Sequence, residues 1–437
     1  MTFWKRRGWL CWALLPAVLV ATSVTRLHDL LTVIRTGRNT AAVSPAPVYG
    51  FLHVPGTAAG SQGALGADFS QVYFSARAIA NADSAYAPAN PEYRDRLGRL
   101  PNYPPLTNHL YVLLAGLPYG QALALHSVGT LGLYLVLSTV VLVAWRRGRY
   151  VAACAAVTLL LGYSTPVGLS HFERGQFDWI VGSSYLLAFC SLFDTRARPG
   201  LCLSSGLLGA MKWTAAPFLG AVAALGLFGS AKRRLVFLAI PLAFALSVLA
   251  FGPESLEYWP SLRRYELTAP PTPLSYEWLL PKPLAKAVQP VVVLCFTAFF
   301  LARHRRSPDR QARLEAVSLP FALAMAIQGL SFTAQATEYR LVAILAGVPA
   351  LLVWLAAVEG VSAGVKATIA GLFGTFLVVG FRVLDDLVPI GLEEMPFVYL
   401  AFSTALLGVA LWVAARRDSS GSSHAAPVAA RPAGPGA

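Results

Sequence analysis

The chain has 437 residues, of which 56% are hydrophobic and only 13% charged, and its formal net charge at pH 7 is +14. A soluble domain carries about a quarter charged residues, so this composition indicates a membrane protein. The apolar residues form long runs rather than short alternating segments, which favours helices over a β-barrel. Basic residues cluster between these runs, as the positive-inside rule predicts, and therefore do not indicate a nucleic-acid partner. The clusters are Lys5 to Arg7, Arg146 to Arg149, Arg196 with Arg198, Lys232 to Arg234, Arg303 to Arg306, and Arg416 with Arg417.

The apolar runs predict an all-α polytopic membrane protein. A helix needs about 20 apolar residues to cross a bilayer, and the runs then give about twelve spans. The first is a retained helix from near Trp9 to near Thr25, and both termini face the cytoplasm, in a plasma (inner) membrane. We expect residues 1–417 to form one membrane-embedded domain and residues 418–437, rich in Ser, Ala, Gly and Pro, to form a disordered tail.

Two long polar segments, residues 26–119 and 252–286, are predicted to be extracytoplasmic loops, whereas the inner connections are short and basic. This asymmetry predicts that function lies on the outer side. Within the first segment, the apolar run from Leu110 to Leu117 is too short to cross and is predicted to be interfacial or re-entrant.

The apolar run from Leu201 to Phe228 lies between two basic clusters but is too short for two ordinary spans. We expect two short helices that turn at Lys212 and Trp213, since half-length helices are tolerated where they line a cavity enclosed by protein. This turn places Lys212 partway into the membrane on the outer side.

Asp68 stands at the start of a predicted short helix, because the apolar residues that follow recur at helical spacing. These are Phe69, Val72, Tyr73, Ala76, Ile79 and Ala80. The carboxylate either caps the helix or takes a proton from a hydroxyl at a reaction site. For the second role, partial burial should raise its pKa towards that of a general base.

Four short motifs follow one another along the chain. They are Asp68-Phe69-Ser70-Gln71-Val72-Tyr73, then Tyr103-Pro104-Pro105-Leu106, then Gly175-Gln176-Phe177-Asp178, and then the small-residue stretch from Gly206 to Met211 that ends in Lys212, with Pro217 following. In this order they resemble glycosyltransferase family 87, from about Ala67 to the last spans. The resemblance implies a membrane-embedded enzyme with a GT-C-like fold that uses a polyprenyl-phosphate sugar, typically mannose, as donor.

The resemblance also implies roles for individual residues. It implies that Asp68 is the catalytic aspartate and that Lys212 is the basic residue after the small-residue helix. A lipid-phosphate leaving group needs a cation, so Lys212 and Arg340 are candidates to bind the donor phosphate. The alternatives are a snorkelling lysine and an interfacial anchor.

Three further residues are candidates for substrate binding: His171, Gln176 and Tyr73. His171 is alternatively an incidental loop residue, Tyr73 a core residue, and Gln176 a helix cap. The nearby Arg174 is expected simply to pair with neighbouring charges. We predict no metal and no cofactor, since no acidic cluster is evident near Asp68.

These features predict an inverting glycosyltransferase that moves a sugar, mannose by resemblance, from a polyprenyl-phosphate donor to a lipid or glycan acceptor on the extracytoplasmic face. No phosphate-binding Gly-x-x-x-x-Gly-Lys-[Ser/Thr] motif is present, which argues against an ATP-driven machine. The main alternative is a lipid or sugar transporter, which should show inverted repeats, although none is convincing here. A non-catalytic scaffold is a third possibility.

Overall fold

A computed structural model describes residues 66–95, 99, 101–193, 198–268, 271–304, 307, 309–332, 338–383, 390–391 and 393–415. This part of the chain consists of helices and their connections, with no strand, which agrees with the predicted all-α class. The α-helices are α1 (Ala67–Ala80), α2 (Pro105–Leu110), α3 (Tyr119–Ala144), α4 (Val151–Ser164), α5 (Pro166–Arg174), α6 (Asp178–Phe193), α7 (Pro199–Ala210), α8 (Ala216–Gly226), α9 (Ala231–Phe237), α10 (Ala239–Leu249), α11 (Gly252–Thr268), α12 (Tyr276–Leu279), α13 (Lys282–His304), α14 (Arg310–Leu330), α15 (Leu341–Ile344), α16 (Gly347–Ala357), α17 (Ala363–Gly380) and α18 (Met395–Ala415). The predicted first helix and the predicted tail 418–437 lie outside the described residues.

Four of the described helices are long and apolar enough to cross a membrane: α3, α13, α17 and α18. A fifth span is added if α9 to α11 count as one span with a bend of 98°. The other apolar helices are shorter, because turns, prolines and charged residues interrupt the apolar runs. The protein is therefore a helical membrane protein, whereas the predicted number of twelve spans is not confirmed.

Two helices form the centre of the bundle. In α14 every residue from Ala316 to Leu330 is buried, and in α6 every residue is buried from end to end. Helix α14 packs against α18 and α8, and α6 packs against α7 and α3. In contrast, α3 exposes a row of large apolar side chains that includes Leu125 and Val136, as expected of a helix that faces lipid.

The predicted break at Lys212 is confirmed. Helix α7 ends at Ala210, a 3-10 turn covers Trp213–Ala215, and α8 continues from Ala216. The small residues of α7 allow close packing, since a Cβ added to Gly206 would lie 2.7 Å from the Cβ of Ala243 in α10. The polar side chain of Lys212 is therefore held at a helix break inside the protein.

The predicted second loop, residues 252–286, is largely helical. It contains α11 and α12, and α13 already begins at Lys282. Helix α11 packs on the first polar segment: Glu254 lies 2.8 Å from Nε2 of His109, and the hydroxyl of Ser261 donates to the carbonyl of Pro101 at 2.6 Å. This helix was not predicted from the sequence, because its mixture of charged and aromatic residues is also typical of a loop at a membrane surface.

Candidate active site

Two glycines bring the segments of the first and third motifs into contact. Gly66 is the N-cap of α1, with φ 78°, and Gly175 is the C-cap of α5, with φ 61°. A Cβ added to Gly175 would lie 2.8 Å from the Cβ of Phe69 and 3.0 Å from the Cα of Gly66. Only glycine combines this backbone conformation with so close an approach. As a result, the start of α1 lies directly against the end of α5.

Asp68 is not the cap of α1, because Gly66 occupies that position. Its carboxylate is only 8% exposed and accepts hydrogen bonds from two arginines. Nη1 of Arg99 lies 2.6 Å from Oδ1, and Nε of Arg174 lies 2.6 Å from Oδ2. The side-chain amide of Gln176 donates to Oδ2 as well. Asp68 is therefore the centre of a buried charged cluster.

The pKa of Asp68 differs from the sequence-based expectation. Burial, the largest single influence, raises the pKa, but Arg174 and Arg99 together outweigh it and lower the pKa to about 2. The expectation of a raised pKa is therefore wrong: it considered burial and not the two guanidinium groups. At neutral pH the carboxylate is ionised.

Gln176 links Asp68 to Lys212. While its Nε2 donates to Asp68, its Oε1 accepts a hydrogen bond of 2.8 Å from Nζ of Lys212. The same ammonium lies 2.9 Å from Oδ2 of Asp178, which is the first residue of α6. Asp68 and Lys212, which are far apart in sequence, therefore both contact the side-chain amide of Gln176.

Tyr339 extends the cluster towards Arg340. The centroid of its ring lies 5.6 Å from Cζ of Arg174 and 5.5 Å from Nζ of Lys212, within the range of cation–π interactions. Arg340, the next residue, is close enough to Lys212 for their charges to interact. The predicted donor-phosphate residues Lys212 and Arg340 thus lie in one basic region.

Two of the predicted substrate-binding residues lie beside the cluster. The hydroxyl of Tyr73 donates to the carbonyl of Leu117 at 2.7 Å. His171 is buried with its ring edge-on to Trp179, at a centroid distance of 5.6 Å. In the described part of the chain, neither side chain is hydrogen-bonded to Asp68 or Lys212. Of the three candidates, Gln176 is the one that the fold brings into the cluster.

Sequence reasoning missed the roles of two arginines. Arg174 does pair with a charged residue, as predicted, but that the partner is Asp68 was not predicted, although its position directly before Gly175 and Gln176 is a usable signal. Arg99 carried no signal, because nothing in the spacing from Asp68 indicates their contact. Arg99 is also held by Asp95, whose Oδ2 lies 2.9 Å from its Nε. Burial alone lowers the pKa of Arg99 and of Arg174, but the carboxylate of Asp68 that both face more than offsets burial and raises the pKa of each, so both stay charged.

The described part of the chain was predicted to bind no metal near Asp68. Among the residues that the structure describes, no group of three or more His, Cys, Asp or Glu side chains is arranged to hold a metal ion. Independence from metal remains a prediction, which a chelator experiment tests.

Comparison with known protein families gives a match over the middle of the chain. The model of glycosyltransferase family 87 matches residues 102–326, which is just over half of the chain. The match includes Arg174, Gln176, Asp178 and Lys212, whereas Asp68 and Arg99 precede it. No curated protein and no solved structure matches the chain.

Proposed function

Because the chain belongs to glycosyltransferase family 87 and is therefore a membrane glycosyltransferase, we propose that the cluster around Asp68 is its active site. The proposed reaction moves a sugar from a polyprenyl-phosphate donor to a hydroxyl of a lipid or glycan acceptor, with inversion, on the extracytoplasmic face of the plasma membrane. Mannose is the proposed sugar, on the resemblance of the motifs.

One observation carries the proposal: a buried, ionised carboxylate is held by two arginines that are themselves partly open to solvent. The side chain of Asp68 is 8% exposed, whereas those of Arg99 and Arg174 are 24% and 21% exposed. A phosphate that arrives from the surface meets the guanidinium groups first. Guanidinium groups bind phosphate through paired hydrogen bonds, so both arginines join Lys212 and Arg340 as proposed donor-phosphate ligands.

Binding of the donor phosphate would also activate Asp68. The low pKa of this carboxylate depends on Arg174 and Arg99, while burial alone raises the pKa. If the arginines turn towards a phosphate, the carboxylate loses part of their stabilisation and becomes a stronger base. The movement of the arginines that binds the donor phosphate would thus also make Asp68 a better base. Without donor, Asp68 would stay paired with Arg99 and Arg174.

The proposed chemical step is a single displacement. The acceptor oxygen forms a bond to the anomeric carbon as the bond from that carbon to the phosphate oxygen breaks. The hydroxyl proton passes to Asp68, and the electron pair leaves with the polyprenyl phosphate. The cations around Tyr339 stabilise the negative charge that develops on the phosphate.

The experiment gives purified protein a labelled polyprenyl-phosphate mannose and a membrane lipid extract. We expect the wild type to form a labelled product, and Asp68→Asn to lose about 10²- to 10⁴-fold in rate, the usual contribution of a general base. The matched control is Asp83→Asn, because Asp83 lies on the same segment but accepts backbone N–H bonds from Ser84, Ala89 and Asn90.

Three results would argue against the proposal. Equal transfer by wild type and Asp68→Asn would remove Asp68 from the mechanism. Movement of the donor across the bilayer without transfer would favour the transporter. Loss of transfer on addition of a chelator would overturn the prediction that no metal is required.

A further inference from the structure

A basic cleft lies at the other end of the bundle from Asp68. It has a volume of about 880 Å³ and is lined by Leu227, Phe228, Arg234, Leu301, Ala302, Arg303, Ser307 and Arg310. Leu227 and Phe228 follow the end of α8, whereas Lys212 precedes its start, so the cleft and the candidate active site are at opposite ends of this helix. The volume is within the range of about 300–1,000 Å³ that is typical of ligand sites.

The lining of the cleft is positively charged. Three of its lining residues are arginines, from α9, α13 and the first turn of α14, and none is acidic. Within the described ranges, no carboxylate forms an ion pair with Arg234, Arg303 or Arg310. Two guanidinium groups are instead held by carbonyls: Nη2 of Arg303 donates to Ala415 at 2.8 Å, and Nη2 of Arg310 donates to Gly229 at 3.0 Å. A guanidinium has five N–H donors, so these bonds fix its position and leave capacity for an anion.

The placement of Arg310 points in the same direction. It is the first residue of α14, whose first turn contains no acidic residue and whose N-cap, Asp309, makes no side-chain cap bond. A cation at the N-terminus of a helix is opposed by the helix dipole. The carboxylate of Asp309 supplies one negative charge at this helix end, and a bound anion would offset the remaining positive charge of the three guanidinium groups.

The apolar part of the cleft selects among anions. Leu227 lines the cleft and is 40% exposed, and Leu301 lines it beside Arg303. The neighbouring Leu235 and Leu238 are exposed as well, at 72% and 48%. A free phosphate makes no favourable contact with apolar side chains, whereas the acyl chain of a lipid packs against them.

We propose that this cleft binds an anionic glycerophospholipid, with its phosphate on Arg303 and Arg310 and its acyl chain along Leu227 and Leu301. Basic pockets between helices at a membrane surface are suited to anionic headgroups. Basic clusters that set the orientation of the protein in the membrane would then also supply arginines to a lipid-binding site. This site is separate from the proposed sugar-transfer site, and its test needs no transfer activity.

The test titrates the full-length protein, purified in neutral detergent, with phosphatidylglycerol or phosphatidylcholine and counts bound lipid by native mass spectrometry. We expect the wild type to bind phosphatidylglycerol at least about tenfold more tightly than phosphatidylcholine. Each of Arg303→Gln and Arg310→Gln should weaken this binding about fivefold, the effect of one basic residue near an anionic headgroup.

The matched control is Arg149→Gln, since Arg149 is also in a basic cluster but contacts the hydroxyl of Tyr150 at 2.8 Å and does not line the cleft. Arg310→Lys keeps the charge and should lose less affinity than Arg310→Gln, which separates binding from a folding defect. Equal affinity for the two lipids, or an equal loss in Arg149→Gln, would overturn the proposal. Displacement of phosphatidylglycerol by millimolar inorganic phosphate would instead identify a site for a soluble anion.

Discussion

Helix α6 has a buried charged cluster at each end, and the two clusters differ in which of their side chains are exposed to solvent. Its N-terminal end carries Asp178, which joins Lys212 and the Asp68 cluster. At its C-terminal end, Nη2 of Arg233 donates to the carbonyl of Leu192 at 2.5 Å, and its Nη1 lies 3.1 Å from Oε1 of Glu315. The two ends are about 24 Å apart along a helix of this length.

At the C-terminal end the arginine is enclosed. The side chain of Arg233 is 4% exposed, and it satisfies carbonyls that the end of α6 leaves without helical partners. At the N-terminal end the carboxylate of Asp68 is enclosed and its arginines are partly exposed. A buried cation that serves backbone carbonyls stabilises a fold. A buried anion behind accessible cations is suited to an incoming phosphate.

The largest expected effect is at the enclosed end. We expect Arg233→Leu to lower the free energy of unfolding by about 3–5 kcal/mol, because the buried carbonyls of Ser191 and Leu192 lose their donor, at about 1–3 kcal/mol each, and Glu315 loses its ion pair. Thermal unfolding in neutral detergent measures this change. Arg234→Leu, the exposed neighbour, is the control and should have a small effect. If the two variants melt alike, Arg233 does not have the structural role described.

At the open end the expected change is in substrate binding. Arg174→Gln should raise the KM for the donor about 10- to 150-fold, from the loss of about 1.5–3 kcal/mol in charge-assisted hydrogen bonds. It should also move the acidic limb of the pH–rate profile to higher pH, because Arg174 lowers the pKa of Asp68.

The control for this variant is Arg77→Gln. Arg77 lies on α1 as Asp68 does, but stands over the rings of Tyr73 and Tyr93. An unchanged KM in Arg174→Gln, or an acidic limb that stays in place, would contradict the assigned role of Arg174.

A smaller effect should appear in the dependence of stability on pH. The pKa of Asp68 is about 2 in the folded protein against 3.8 for the free side chain, so its ionised form contributes about 2 kcal/mol. This contribution is complete above about pH 4 and is lost as the pH falls through 2. Between these values the wild type should lose more thermal stability than Asp68→Asn. Parallel curves would show that Arg99 and Arg174 do not stabilise the carboxylate.

The smallest effect concerns Tyr73, which the sequence placed among the substrate-binding residues. Tyr73→Phe removes the hydrogen bond to Leu117 and should cost about 0.5–1.5 kcal/mol of stability, with the KM for donor and acceptor unchanged. A changed KM would indicate that Tyr73 does contact donor or acceptor. Steady-state kinetics beside a melting curve separates the two outcomes.

Local signals in the sequence made the positions of Lys212 and Asp68 predictable. Lys212 interrupts a long apolar run, and a charge there is so costly that a helix break at that residue was predictable. Asp68 lies in the first turn of a helix whose apolar spacing is evident in the sequence, and Phe69 and Val72 of that helix are fully buried.

The remaining features depend on contacts between distant segments. Arg99 reaches Asp68 through a fold of the first polar segment that has no periodic signal, so its effect on the pKa was not foreseen. Helix α11 was missed because membrane-surface helices and loops share a composition of charged and aromatic residues. His171 lies near the third motif in sequence, but its position on α5 directs its ring to Trp179.

The contact between Gly66 and Gly175 makes the site vulnerable at positions that carry no functional group. A methyl group on Gly175 would push the beginning of α1 away from the end of α5, since it would lie 2.8 Å from the Cβ of Phe69 and 3.0 Å from the Cα of Gly66. A methyl group on Gly66 would instead collide with the side chains of Tyr119 and Leu123 in α3 and displace the start of α1 from that side. An inactive variant of this protein could therefore retain every charged residue of its reaction centre, with Asp68 and Arg174 merely held out of reach of each other.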